Sequence, residues 1–347
     1  MPKHWLRTFA LLFALMLPLS ACQSKSEPNA EPPVTTVTES ESPATPESPF
    51  KSYLTGLPVD EMTANRRPIA IMINNIRQAL PQYGISKAGI IYEALAEGGI
   101  TRLLAVFDDY ATLDVIGSVR SSRPYYLDMA QGLDAVYFHI GASPAAYAAI
   151  KSRKMDSFDL ISGRDKSRIK NNGLEHSLMT SGAKIAVKLE ATHKRLLRNA
   201  AYPSAFQFSD DVKFTGETAN KVTVPFSNYK TGVFTYDSET DQYLVSQYGK
   251  AHMDAGADCQ LSMKNVFVLR INSYVVKGDT HGRLAHDIVG SGKGYYITGG
   301  KMVPIKWEKD SPSKSFYYTT ENGAELTVAR GDSYVCIVPL RSAVKFE

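Results

Sequence analysis

Apolar positions along the chain fall into short runs that change character twice. Phe9 to Leu19 is continuously apolar behind Lys3 and Arg7. Residues 23–50 then carry no periodic apolar pattern. From about residue 60 the pattern predicts buried strands at Pro68–Asn74, Gly89–Glu93, Thr101–Phe107, Asp114–Arg120 and Ala135–Ile140. It predicts helices at Pro124–Gln131, at Pro144–Lys151 with a proline in the first turn, and across His176–Leu197, where Ile185, Leu189 and Leu196 recur at helical spacing. Continuous apolar strands alternating with helices point to an α/β layer with both sheet faces covered.

The second half reads differently. Short β-prone runs at 222–226, 231–236, 242–247, 265–271, 284–289, 294–298, 301–307 and 326–339 are separated by turn signals such as Thr298-Gly299-Gly300 and Glu321-Asn322-Gly323. That is a mainly antiparallel β region. The expected organisation is therefore an α/β segment over 51–208 and a β-rich segment over 209–347, with the change near residues 200–220, where Pro203, Ser209, Asp210 and Asp211 interrupt the periodicity.

The first 21 residues read as a secretory signal, because the apolar core is shorter than the roughly 20 residues a membrane span needs. It ends in Leu19-Ser20-Ala21-Cys22, a sequence that resembles the bacterial lipobox. The resemblance implies that Cys22 is lipidated on its sulfur and amine and anchors the chain at the outer face of the membrane. Several acyl chains together hold firmly, at about 0.8 kcal/mol per buried methylene. Six prolines and five glutamates mark 23–50 as an extended tether.

Composition sharpens this. The whole chain has a formal charge of +4, but from residue 51 onward 36 Lys and Arg face 30 Asp and Glu. This excess is too small to indicate a nucleic-acid partner. A mild basic balance suits the neighbourhood of anionic wall polymers. Three cysteines exclude a disulfide scaffold and a four-cysteine metal site. Cys259 and Cys336 are open to two readings, a disulfide or two thiols. No metal or cofactor motif is expected: Gly290-Ser291-Gly292-Lys293-Gly294 lacks phosphate-loop spacing and reads as a turn, and His281, His286 and Asp287 match no metal template.

The candidate chemistry lies between Asn74 and His139. Glu93 and Glu97, four apart, would share a face if helical, with Arg102 as a natural partner. One reading makes a glutamate a general acid/base with a raised pKa; the other makes it half of a buried ion pair that fixes the turn. Gly117-Ser118-Val119-Arg120-Ser121-Ser122-Arg123-Pro124 brings guanidiniums and hydroxyls to a helix start, which suits phosphate or carboxylate. Asn74, Arg102, Arg120, Ser121 and Arg123 are the candidate binding residues. Glu93, Glu97 and His139, the last at a strand end, are the candidate catalytic ones.

These segments, with Ala70–Asn74, Tyr92-Glu93, Glu97–Arg102, Ile116–Pro124, His281-Gly282-Arg283 and Trp307-Glu308-Lys309, resemble the YerB-type lipoprotein family of Gram-positive bacteria over residues 55–345. Gly89 stands where that family often has Asp, and Glu175-His176-Ser177 where it often has Pro-His-Asn. The resemblance implies a two-domain envelope lipoprotein and carries no activity. A fainter likeness is to the LytR-CpsA-Psr family, which transfers phosphate-linked polymers, although Ser121 follows Arg120 where that family has an Arg-Asp pair. The expectation is a protein that binds or processes an anionic or glycan component of the wall, or else an adaptor for a membrane or wall enzyme.

Overall fold

The computed structural model describes residues 47–161, 167–168, 173–202, 204–212 and 215–347. The signal, Cys22 and nearly all of the tether lie outside the described residues. Residues 47–347 form one compact unit.

The strands that build the core are β1 (Ile69–Asn74), β2 (Ile90–Leu95) and β3 (Thr101–Phe107). After helix α1 (Pro124–Gly132) come β4 (Val136–His139), helix α2 (Pro144–Ser152) and β5 (Ser157–Asp159). Helix α3 (Gly182–Ala191) ends the first half. The second half supplies β6 (Lys221–Pro225), β7 (Thr231–Asp237), β8 (Gln242–Gln247), β9 (Asn265–Ile271), β10 (Gly290–Thr298), β11 (Lys301–Lys309), β12 (Tyr317–Thr320) and β13 (Ser333–Pro339).

One sheet of 11 strands crosses both halves of the chain. Its order from one edge is the pair Glu217–Thr218, then β11, β10, β9, β13, β2, β3, β1, β4, β5, with β12 beside β11. The seam is the parallel pairing of β2 with β13, in which Glu93 lies opposite Cys336. β13 pairs parallel with β9 on its other side. The first half is mixed α/β and the second mostly antiparallel, as expected, yet the two segments meet in this sheet. A second sheet of six strands, with β6, β7 and β8 at its centre, packs over one face.

Alternation along each strand sorts the core. Ile69, Ile71 and Ile73 of β1 join Val222, Phe234, Tyr243, Ile185 and Leu189 between the sheets and α3. Ala70 and Met72 join Tyr125, Tyr126, Phe267 and Trp307 on the α1 face. Helix starts follow local chemistry: proline fills the first position of α1 and α2, Ser143 caps α2 by accepting from Ala146 N, and Ser181 caps α3 by accepting from Lys184 N.

Three elements depart from the sequence reading. The fourth strand shrinks to Ile116–Gly117, because Ser118–Arg120 instead lie along β1, where Ser118 O accepts from Asn74 N and Arg120 N donates to Met72 O. The long helix shortens to α3: Leu178–Thr180 pair as strand before it, and His193, at φ 51°, turns the chain after it. Gly290–Gly294 is no turn; it is the first half of β10, paired with β11. Cys336 is buried in β13 and Cys259 lies partly buried elsewhere; both are free thiols.

The shared sheet makes the first half dependent on the second. Residues 51–208 made alone leave β2 as an edge, with Ile90–Ala94 stripped of their pairing with β13. That fragment is expected to show no cooperative urea transition by circular dichroism, whereas 47–347 unfolds cooperatively. A cooperative transition in the fragment would contradict this.

Candidate functional site at the strand ends

The ends of β1, β2 and β3 carry two polar networks on opposite faces of the sheet. Side-chain parity dictates which residue joins which. Ile91, Glu93 and Leu95 point between the sheets, as do Thr101 and Leu103, whereas Arg102 and Leu104 point to the α1 face. Glu93 and Arg102 therefore cannot pair.

Glu93 is 1% exposed. Its Oε1 accepts from Lys230 Nζ at 2.9 Å, Asn75 Nδ2 at 2.9 Å and Thr101 Oγ1 at 2.6 Å. Its Oε2 accepts from Tyr334 OH at 2.7 Å. Lys230, equally buried, stands over the rings of Phe226 and Tyr248. Asn75 extends the network: its Oδ1 accepts from Gln82 Nε2 at 2.9 Å and Gln247 Nε2 at 3.0 Å, and its carbonyl accepts from Tyr248 OH at 2.8 Å. Beyond Gln82 lies His252, whose Nε2 meets Gln82 Oε1 at 2.7 Å. Burial, then the nearby Lys230 charge, pushes His252 down to about 3.

On the other face, the Gly98-Gly99 reversal at φ 69° and 74° puts Glu97 beside the start of β3. Glu97 accepts from Arg102 Nη2 at 2.8 Å and from Arg123 through Nε at 3.1 Å, with a second, shorter contact from Arg123 Nη2. Burial pushes the Glu97 carboxyl up, but the charges and hydrogen bonds of Arg102 and Arg123 outweigh it and hold it below the usual glutamate range. Burial, then the neighbouring Arg102, lowers Arg123. Ser121 contributes its carbonyl, which accepts from Arg102 Nη1 at 2.8 Å. Arg102 Nε is buried without a partner.

Among the described residues, the Arg120 side chain pairs with the exposed carboxylate of Glu175, at 3.7 Å. Asn74 Nδ2 lies 3.0 Å from His176 Nδ1. Helix α1 starts at Arg123 with no side-chain cap, and the neighbouring Ser122 Oγ accepts from Tyr137 OH at 2.8 Å. Arg123 also lines a cavity of about 270 Å³ with Tyr125, Pro144, Arg283 and His286.

Of the expected residues, the structure gathers Glu97, Arg102, Ser121 and Arg123; Arg120 and Asn74 stand beside them in sequence or register but meet Glu175 and His176 instead. Glu93 belongs to the opposite face. His139 is 1% exposed, with Nδ1 on Gly141 O at 2.9 Å and Nε2 on Ser157 Oγ at 3.0 Å, and burial lowers its pKa. Both ring nitrogens are occupied in the packing of β4 against β5. His286 likewise bonds Ser273 Oγ and Leu95 O. Among the described residues no cluster of His, Cys, Asp and Glu could hold a metal ion. The sequence reading missed Lys230. It sits in the Ser227–Lys230 turn, where its N–H bonds Ser227 Oγ, and looks like any solvated turn lysine. The signal that would have found it is Glu93 itself, which alternation places between two sheets and which then needs a cation.

Residues 54–195 match the profile described as "Protein of unknown function (DUF3048) N-terminal domain", and residues 222–335 match its C-terminal domain. The chain belongs to this family. It is similar to "Putative lipoprotein YerB" of Bacillus subtilis, with 29% identity over 346 residues, 97% of this chain and 96% of that protein. It is also similar to the crystal structure of the YerB protein from Bacillus subtilis, at 28% identity and a TM-score of 0.76, covering 85% of this chain and 99% of the other. The family resemblance expected from the motifs is thus shown along the whole folded part. Among the described residues no helix is long and apolar enough to cross a membrane.

Three buried histidines, His139, His252 and His286, are held below their ordinary pKa, first by burial. In the unfolded chain each titrates near ~6.5. Their contribution to stability is complete above that pH and is lost as pH falls, for His252 down to about 3. Urea unfolding should show stability falling between pH 7.5 and 5, by up to about 1.4 kcal/mol per pH unit for each histidine. His252→Gln should flatten part of that slope. Equal stability at both pH values would contradict the buried neutral state.

Proposed function

We propose that the chain is an envelope lipoprotein, anchored through Cys22, that binds an anionic group of a cell-wall polymer at the arginine-lined strand ends. The observation that carries this is a charge imbalance. Among the described residues, Arg102 and Arg123 share the carboxylate of Glu97, and Arg120 has the exposed Glu175 at 3.7 Å. The Arg120–Arg123 segment and its neighbour Arg102 thus bring three guanidiniums with two carboxylate partners to an uncapped helix start, a composition suited to phosphate or carboxylate. The lipobox and the lipoprotein name of the Bacillus subtilis relative support the anchor.

Binding fits this geometry better than catalysis. A general acid must hold a proton, and Glu97 is kept ionised by two arginines. Glu93 has both carboxylate oxygens engaged by buried donors. His139 has no ring nitrogen to spare. One observation favours the adaptor reading as an alternative: the hairpin of Ser273–Val275 and Leu284–His286 exposes Tyr274, Val275 and Val276 in succession.

Co-sedimentation of the 47–347 segment with isolated cell-wall sacculi tests the reading. Binding should occur without released fragments and weaken with salt. Arg120→Ala should weaken it by about 1.5–3 kcal/mol, roughly 10- to 100-fold. Undiminished binding by Arg120→Ala would overturn the site. Absence of binding would leave the adaptor reading in its place.

A further inference from the structure

A second surface, at the far end of α1, has a different character. Arg123 opens α1, and Gly132 closes it by accepting from Ser315 Oγ at 2.5 Å. Beside that end three cavities meet on one side chain, Tyr317, which is 47% exposed. The largest, about 490 Å³, has a floor that includes Phe206, Phe316, Tyr318 and Leu326. A small one of about 150 Å³ lies between Glu308, Asp310 and Ser315. The third, about 350 Å³, runs over Gly292, Lys306 and Trp307. Together they make a track, and the largest cavity alone falls in the range of roughly 300–1,000 Å³ typical of ligand sites.

The track is lined by aromatic residues whose polar atoms are turned inward. Tyr318 OH and Trp307 Nε1 are buried and have no hydrogen-bond partner. Each belongs to a residue lining a different cavity of the track. The residues themselves line the track, so their rings, with that of the half-exposed Tyr317, form its aromatic surface. Gly292 lets the indole lie close: a Cβ there would come within 2.7 Å of the ring.

We propose that this Tyr317-centred track binds an uncharged run of a linear glycan. Sugar rings present an apolar C–H face for aromatic side chains and hydroxyls that both donate and accept. The track offers aromatic rings and a rim of side-chain donors and acceptors. Its charged rim is balanced, with Lys293, Lys306 and Lys314 against Glu308, Asp310 and Glu325, so it holds no excess charge for a polyanion. An extended peptide adding to the sheet is disfavoured because β12 is bonded on both sides, to β11 and, through Leu326 N to Tyr318 O and the Thr319–Glu325 bridge, to the following chain.

The chain carries its own reporter. Of its two tryptophans one is Trp5, so Trp307 is the single indole of the segment 47–347. N-acetylglucosamine hexamer or cellohexaose should shift the emission of that segment saturably. Tyr317→Ala should weaken binding about tenfold. Arg120→Ala should leave it unchanged, which separates this track from the arginine site. The proposal is overturned if neither oligosaccharide changes the emission up to about 10 mM, if Tyr317→Ala binds as well as the parent, or if inorganic phosphate competes.

Discussion

A charge buried between two sheets must be matched there, and Glu93 with Lys230 is where this protein meets that demand. Removing both ions from water costs several kcal/mol each, so the pair is no simple gain in stability. Its effect is to tie elements together. Glu93 stands on β2, Lys230 on the turn before β7, Tyr334 on β13 and Thr101 on β3, so one carboxylate binds both sheets and both halves of the chain. Asn75, Gln82, Gln247 and Tyr248 extend that tie from the end of β1 to the end of β8.

The arginine site depends on this arrangement through the backbone. Asn74 and Asn75 are consecutive, as are Thr101 and Arg102. In each pair one side chain enters the Glu93 network and its neighbour along the strand turns the other way. Fixing Asn75 and Thr101 between the sheets therefore fixes where Asn74 and Arg102 stand. Arg102 then brings Glu97 and Arg123 together over the start of α1. The wall-binding reading is thus a property of strand ends held from behind.

Much of the fold was legible because apolar runs and periodicity report burial directly. β1, β3, β8 and β9, α1 and α2 follow from such patterns and their caps. The exceptions have local causes. Ser118–Arg120 look like a strand because they are apolar-flanked and extended, but they bond to β1 as single contacts. Gly290–Gly294 look like a turn because glycine is a turn former; here the glycines make room, Gly292 for the Trp307 ring. The candidate site was legible as a cluster and misassigned within it. Glu93 and Glu97 were placed on one helical face, whereas Glu93 lies in β2 and strand alternation turns it away from Arg102. Lys230 was hidden because its burial follows from a pairing of distant segments that no local pattern encodes.

The folded unit carries two unlike surfaces, one with surplus guanidinium and one neutral and aromatic, at the two ends of α1. Both rest on the central sheet, and that sheet rests on the Glu93–Lys230 tie. The most direct test is a double-mutant cycle read by urea unfolding, with Glu93→Gln, Lys230→Met and the two combined. Each single change should cost about 3–5 kcal/mol by leaving a buried charge alone. The double change should cost less than the sum by at least about 2 kcal/mol. Losses that add to within about 0.5 kcal/mol would contradict the account.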